Sequence, residues 1–261
     1  MKRKILLLLS AAIFIGAATM FGYHRMEAQR NLESQMEAEE LARSHARESV
    51  DALLALPREW RELPVEDDPF MEILGQTDLA ALQAVNEDVL GWLEIPNTRL
   101  KYPMVRGLDN EFYLKHDWKK NRNIVGAAFL ERYNQEDLSD FHSLIYGHRL
   151  VDGGMFGSLG NYNKQSYWEE HPYVYIYDKG GTHRYEIFAA YEASVKSLTY
   201  QVGFSGDESK ERFLEHCITS SVIDTGVVPT LDDKILTLST CTAYGSDSKR
   251  WVVQACLRGT W

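Results

Sequence analysis

The chain has 261 residues, 44% of them hydrophobic and 25% charged, with a formal net charge of −10. This composition excludes a disordered chain and suffices for one substantial core with a smaller appendage. The acidic balance and the lack of a basic stripe in the body exclude phosphate-backbone recognition, so no nucleic-acid partner is expected.

Lys2, Arg3 and Lys4 precede the apolar run "ILLLLSAAIFIGAATMFGY", residues 5–23. That run is about long enough to cross a hydrocarbon core. The basic cluster predicts a cytoplasmic N-terminus, and hence a single-pass protein of the cell membrane whose C-terminal body is extracellular. A cleaved signal peptide is the rival reading, since Gly16 and Ala18 suit a peptidase. The run continues past them, which favours an uncleaved anchor over residues 1–23. Residues 24–56 contain no Pro or Gly, are rich in Ala, Glu, Arg and Leu, and read as a polar helical stalk. Pro57, Pro64 and Pro69, with Glu66, Asp67 and Asp68, mark a linker. Stalk and linker thus occupy 24–74, and the main domain is expected over 75–261.

Thr77 is a plausible N-cap for a short helix with Leu79, Leu82 and Val85 on its apolar face, ended by Gly91. Strand patterns follow: "GWLEI", "LKYPMV", "GAAFLE", "HSLIYG", "YVYIYD" and "RYEIFAAYEAS", with a hairpin turn at 178–181. "GDESKERFLEHCITSSV" reads as an amphipathic helix. "KILTLSTC" and "RWVVQACL" are the last two strands. Many short strands with one or two inserted helices predict a mainly β fold, a closed or nearly closed barrel decorated by helices.

Three cysteines, Cys217, Cys241 and Cys256, cannot all pair within one chain, and their spacing matches neither a zinc site nor a redox pair. Cys217 lies in the amphipathic helix and Cys256 inside a strand, so both read as packing residues. In "ILTLSTC" the alternation puts Cys241 with Ser239 and Thr237, opposite Leu236 and Leu238, which favours a cleft-facing thiol. A cysteine nucleophile needs a base, donors for an oxyanion and a rigid platform. His24 and His45 fall in the stalk, while His116, His142, His171, His183 and His216 fall in helical or loop-like contexts. His148 closes the strand "SLIYG" before a Gly-rich loop and is the candidate base. Arg250 opens the last strand nine residues after Cys241, so a hairpin returns it beside the cysteine. Its fixed fork of donors suits a substrate carbonyl or oxyanion. Lys249 is its competitor, but neighbours in a strand face opposite ways.

These residues resemble the sortase family. "TLSTC" at 237–241 matches the TLxTC motif, "YGH" at 146–148 the histidine segment, and "KRWVV" at 249–253 the arginine segment. The order His, Cys, Arg agrees, and the resemblance covers roughly residues 75–261. The segment from Asn86 to Glu131 and the helical insertion before "KILTLSTC" are similar to class B sortases; Arg149, where an asparagine is frequent, departs from them. The resemblance implies a closed eight-stranded barrel with N-terminal helices and a helical insertion before the cysteine strand. It implies a cysteine transpeptidase in which Cys241 attacks the Thr carbonyl of an NPxTx-like sorting motif near the C-terminus of an exported protein. An amine of the peptidoglycan cross-bridge would resolve the thioacyl-enzyme. His148 would serve as acid and base, Arg250 would orient the motif and hold the oxyanion, and Ser239 and Thr240 would neighbour the substrate. No metal or other cofactor is required. Two other readings stay open on the residues alone: a thiol hydrolase, and a non-catalytic barrel that binds a surface peptide.

Overall fold

The computed structural model describes residues 2–43, 64, 67–150, 153–241 and 248–261, with the backbone alone for residues 2–12 and Cys241. The stalk beyond Arg43, Pro57 and Glu66 of the linker, and most of the loop after Cys241 lie outside the described residues.

Eight strands form over the short β-prone runs: β1 (Val89–Glu94), β2 (Lys101–Val105), β3 (Ala128–Leu130), β4 (His142–Tyr146), β5 (Tyr173–Asp178), β6 (Gly181–Ser194), β7 (Ile235–Cys241) and β8 (Lys249–Thr260). They close into a barrel in the order β1-β2-β3-β4-β7-β8-β6-β5. The pairings β2–β3 and β4–β7 are parallel and the rest antiparallel. The interior is filled by one face of each strand, with Leu93, Ile145, Ile176, Leu236, Leu238 and Val253 in contact. An eight-stranded barrel is just wide enough for side chains to fill it. The β5–β6 hairpin turns over Lys179 and Gly180, where the Gly180 amide donates to Asp178 Oδ1 at 2.7 Å.

Two helical layers cover the outside. The first comprises α1 (Lys2–Ala42), α2 (Pro69–Leu74) and α3 (Leu79–Val85). In α1, Glu27, Asn31, Ser34, Ala38 and Ala42 recur every three or four residues and are buried. Residues 27–43 of the expected stalk therefore lie against the barrel. Trp118 Nε1 donates to the Ser34 carbonyl at 3.0 Å, and Tyr102 OH donates to Gln35 Oε1 at 3.0 Å. Ile13 to Met26 are exposed. Among the described residues no helix is long and apolar enough to cross a membrane, so the expected membrane-crossing segment finds no support in α1.

Two local expectations change. The linker reading hid α2, in which Pro69 occupies the first turn and Asp68 Oδ1 accepts from the Phe70 amide at 3.0 Å; Pro is well tolerated there. The helix expected from Thr77 to Gly91 is shorter. Asp78, not Thr77, caps α3, and Asn86 ends it. Gly91 instead sits in β1, where a Cβ would come within 2.3 Å of the Tyr177 carbonyl oxygen across the β1–β5 pair.

The second layer is the insertion between β6 and β7, built on α5 (Asp207–Ser220). A further short helix, α4 (Gln165–Glu170), precedes β5. Phe213, Leu214 and Cys217 of α5 pack on Phe188, Tyr191, Ile235, Val252 and Cys256.

Candidate active site

Strand β7 lies between β4 and β8, and this placement brings position 148, distant in sequence, to the same rim as positions 241 and 250. In the parallel β4–β7 pair Tyr146 is opposite Ser239, and the Gly147 amide donates to the Ser239 carbonyl at 3.1 Å. Two residues further along each chain come His148 and Cys241. In the antiparallel β7–β8 pair Cys241 is directly opposite Arg250. Residues paired across a ladder share a face, so Cys241, Ser239 and Thr237 lie on the face of Arg250, Val252 and Gln254. Leu236 and Leu238 belong to the barrel interior. The expected alternation therefore holds, and the outward face is the one covered by the insertion.

His148 is half-buried, and its Nε2 lies 2.9 Å from the Leu114 carbonyl oxygen. A carbonyl only accepts, so in the neutral ring Nε2 carries the proton and Nδ1 holds the lone pair. Burial pushes the His148 pKa below the usual histidine value. The Leu114 carbonyl opposes that shift and the Arg250 charge reinforces it. The short 3-10 turn Phe112–Leu114 that supplies this carbonyl is itself fixed. The buried Tyr113 donates to Asp88 Oδ2 at 2.6 Å and accepts from Asn86 Nδ2 at 2.9 Å. Gly126, at φ +68°, lies against both; a Cβ there would stand 2.5 Å from the Tyr113 carbonyl oxygen and 3.0 Å from His148 Cδ2.

Arg250 is half-buried, and its Nη1 donates to the Lys249 carbonyl at 2.8 Å. Its charge reaches both His148 and Tyr146. Lys249 is engaged elsewhere, its Nζ 2.5 Å from Glu192 Oε1. Ser239 and Thr240 are both buried. The Ser239 hydroxyl is 2.8 Å from Tyr200 OH. Thr240 is opposite Trp251, on the face that turns into the barrel, and its Oγ1 has no hydrogen-bond partner among the described residues.

Several residues that shape the site were not singled out in the sequence. Tyr146 donates to Glu131 Oε2 at 2.9 Å, and Asn110 Nδ2 donates to the same oxygen at 2.6 Å. Tyr200, in the insertion, reaches back over β7. Alternation from His148 points to Tyr146; nothing in the sequence pattern points to Tyr200, Glu131 or Leu114. His142, expected in a helical or loop-like context, opens β4 instead and is fully buried under the insertion. The strand pattern "HSLIYG" already starts at this residue, and inside the fold both its ring nitrogens are satisfied internally.

The description "Sortase domain" matches residues 93–258. Sortase B of Staphylococcus aureus is 34% identical over 176 residues, covering 67% of this chain and 72% of that one. Sortase B of Listeria monocytogenes is 34% identical over 182 residues, covering 69% and 74%. Among solved structures, a sortase B–substrate complex from S. aureus superposes with a TM-score of 0.70 at 27% identity, over 88% of this chain and 98% of that one. Sortase B from Bacillus anthracis gives the same TM-score at 27% identity, over 89% and 98%. The chain belongs to the sortase family of cysteine transpeptidases, and its likeness within that family is to sortase B.

Proposed function

We propose that this chain cleaves an NPxTx-like sorting motif at the C-terminus of exported proteins and joins the new end to an amine of the peptidoglycan cross-bridge. The observation that carries the reading is the strand register that aligns positions 148, 241 and 250 at one barrel rim. The sulfur of Cys241 attacks the carbonyl carbon of the motif's Thr. The Thr–x amide bond then breaks, and the departing nitrogen takes a proton from His148. In the second half an amine attacks the thioacyl carbon, His148 accepts the amine's proton, and the Cys241 thiolate leaves. With Nε2 tied to Leu114, Nδ1 is the nitrogen that moves this proton. Arg250 holds the motif and stabilises the oxyanion of each tetrahedral intermediate. Ser239 forms the floor beside the reacting bond, its hydroxyl hydrogen-bonded to Tyr200 OH, whereas Thr240, turned into the barrel, is left to support β7 from behind rather than to touch the substrate.

The basic residues 2–4 and the apolar run 5–23 support the matching location, a cell-surface enzyme anchored by its N-terminus with the barrel outside. Membrane fractionation and protease accessibility of intact cells test that part separately.

The chemistry is tested by incubating the protein with NPxTx and LPxTx peptides and weighing it by mass spectrometry. An acyl adduct on Cys241, converted to an amide by an added amine, is the expected result. Adduct formation in Cys241→Ala, or hydrolysis alone with amine present, overturns it. Because acylation needs Cys241 as thiolate and His148 as imidazolium, and burial lowers the His148 pKa, acylation should follow a bell-shaped pH profile. A flat rate between about pH 6 and pH 9 speaks against this.

A further inference from the structure

Beneath the rim, a chain of buried polar side chains crosses four strands and returns to the turn it started from. His142 Nδ1 lies 2.9 Å from the Gln201 carbonyl oxygen, and its Nε2 lies 2.7 Å from Thr237 Oγ1. Gln254 Nε2 donates to Thr237 Oγ1 at 3.0 Å, and Tyr191 OH donates to Gln254 Oε1 at 3.1 Å. Tyr191 OH is also 2.9 Å from Thr199 Oγ1, which is 3.2 Å from His216 Nε2. His142, Thr237, Gln254, Tyr191 and Thr199 are all at most 2% exposed.

The direction of each proton is determined. The Gln201 carbonyl only accepts, so Nδ1 of His142 bears the hydrogen and Nε2 accepts from the Thr237 hydroxyl. Thr237 is then free to accept from Gln254, whose carbonyl oxygen takes the Tyr191 proton. Tyr191 in turn accepts from Thr199. A buried network in which every member is satisfied holds one geometry, and removing one member strands its neighbours.

Both ends of this chain land on the same short turn, at Thr199 and at Gln201. The residue between them is Tyr200, which turns the other way and meets Ser239, two residues before Cys241 on the same face. The turn belongs to the inserted segment and pairs with no strand. This pair of buried attachments flanks the apolar packing of Tyr200 on the cluster under the insertion, and the 3-10 bond from the Gln201 amide to the Leu198 carbonyl at 2.9 Å closes the turn itself.

We infer that His142, Thr237, Gln254, Tyr191 and Thr199 form a positioning clamp that holds Tyr200 as one wall of the peptide groove, so that the buried network sets substrate affinity without taking part in bond making. The inference rests on the transpeptidase reading above and extends it to residues that touch neither substrate nor the reacting atoms.

Thr237→Val keeps the shape and removes the hydroxyl at the centre of the clamp; Thr237→Ser restores the hydroxyl. Thr237→Val should raise KM for an NPxTx peptide about tenfold, the equivalent of one lost hydrogen bond, with kcat nearly unchanged. Alkylation of Cys241 by iodoacetamide should keep its rate and pH profile, and Thr237→Ser should return KM to within about twofold of the parent. Should Thr237→Val not fold, Thr199→Val cuts the other attachment and must give the same KM-only change. An unchanged KM, or equal losses in kcat, KM and alkylation rate, overturns the clamp. Amide hydrogen exchange over residues 198–201 needs no substrate and should quicken in Thr237→Val. If the parent protein cleaves no peptide, the transpeptidase reading fails, and the exchange measurement still decides the clamp.

Discussion

At the scale of single residues, two histidines in or beside one strand have opposite tasks, and their surroundings decide which does which. His148 sits at a rim with one nitrogen engaged, whereas His142 is sealed with both engaged. Burial holds the His142 pKa down to about 4, against the Gln201 carbonyl and Asp140, which both favour the charged ring. An unfolded histidine titrates near 6.5. Between those values the unfolded chain binds the extra proton, so stability is complete above about pH 6.5 and is lost as pH falls toward 4. The loss should reach on the order of 3 kcal/mol. Denaturant unfolding at pH 7.5 and pH 4.5 measures it, and His142→Phe should shrink the pH-dependent difference, leaving the part that His148 and His216, also held low by burial, contribute with the same sign. Equal pH dependence in the two proteins counts against a sealed neutral ring. Gly126 makes the second case at this scale. Its positive φ and the two close approaches of its missing Cβ predict that Gly126→Ala costs about 1–3 kcal/mol. It should also lower kcat/KM by displacing His148 or the turn that holds it. A variant with parental stability and activity would show that neither contact is tight. From sequence, Gly126 was one glycine among 18; the neighbours that leave no room for its Cβ lie 13 and 22 residues away.

At the scale of elements, all eight strands were legible as short apolar, β-prone runs bounded by turn residues, several of them buried on both faces. The helices were less so. The pattern from Thr77 to Gly91 mixes a short helix with the start of β1, and only the Asn86 cap separates them. The buried half of α1 read as a plain polar stalk because its contact face is built from Glu27, Asn31 and Ser34 as well as Ala38 and Ala42. Polar side chains on a docking face are invisible to a hydrophobic count. The tether at its far end is a buried ion pair. Glu94, only 1% exposed, accepts from Arg43 Nη2 at 2.6 Å and from Trp92 Nε1 at 3.0 Å. Removing Arg43 leaves that carboxylate with Trp92 and the more distant Lys101 Nζ at 3.9 Å. Arg43→Ala should therefore cost about 1–3 kcal/mol in urea unfolding, and Arg43→Ala with Glu94→Gln should recover a good part of it. Additive losses in the double variant would mean that the two side chains act independently.

At the scale of the whole molecule, the site is a product of topology. Positions 148 and 241 are 93 residues apart, and only the parallel β4–β7 pairing, bridged by α4, β5, β6 and the α5 insertion, makes them neighbours. Motif order hinted at the three residues; nothing in the chain's periodicity announced a parallel pair. The same closure hides the other two thiols. Cys217 on the inner face of α5 and Cys256 in β8 are fully buried, and burial pushes both thiols up to about 12. A thiol attacks as its thiolate, so neither should react near neutral pH while the insertion is packed on the barrel. Native protein treated with iodoacetamide at pH 7.5 should therefore take up one label, at Cys241, and denatured protein three. The thiol count thus reports the docking of the α5 layer as a whole. A substitution that loosens this layer, such as Phe213→Ala at its fully buried centre, should bring Cys217 into reaction before global unfolding. Two or three labels on the native parent protein would show that the insertion opens readily, and an insertion that opens that freely could not hold a groove wall in place.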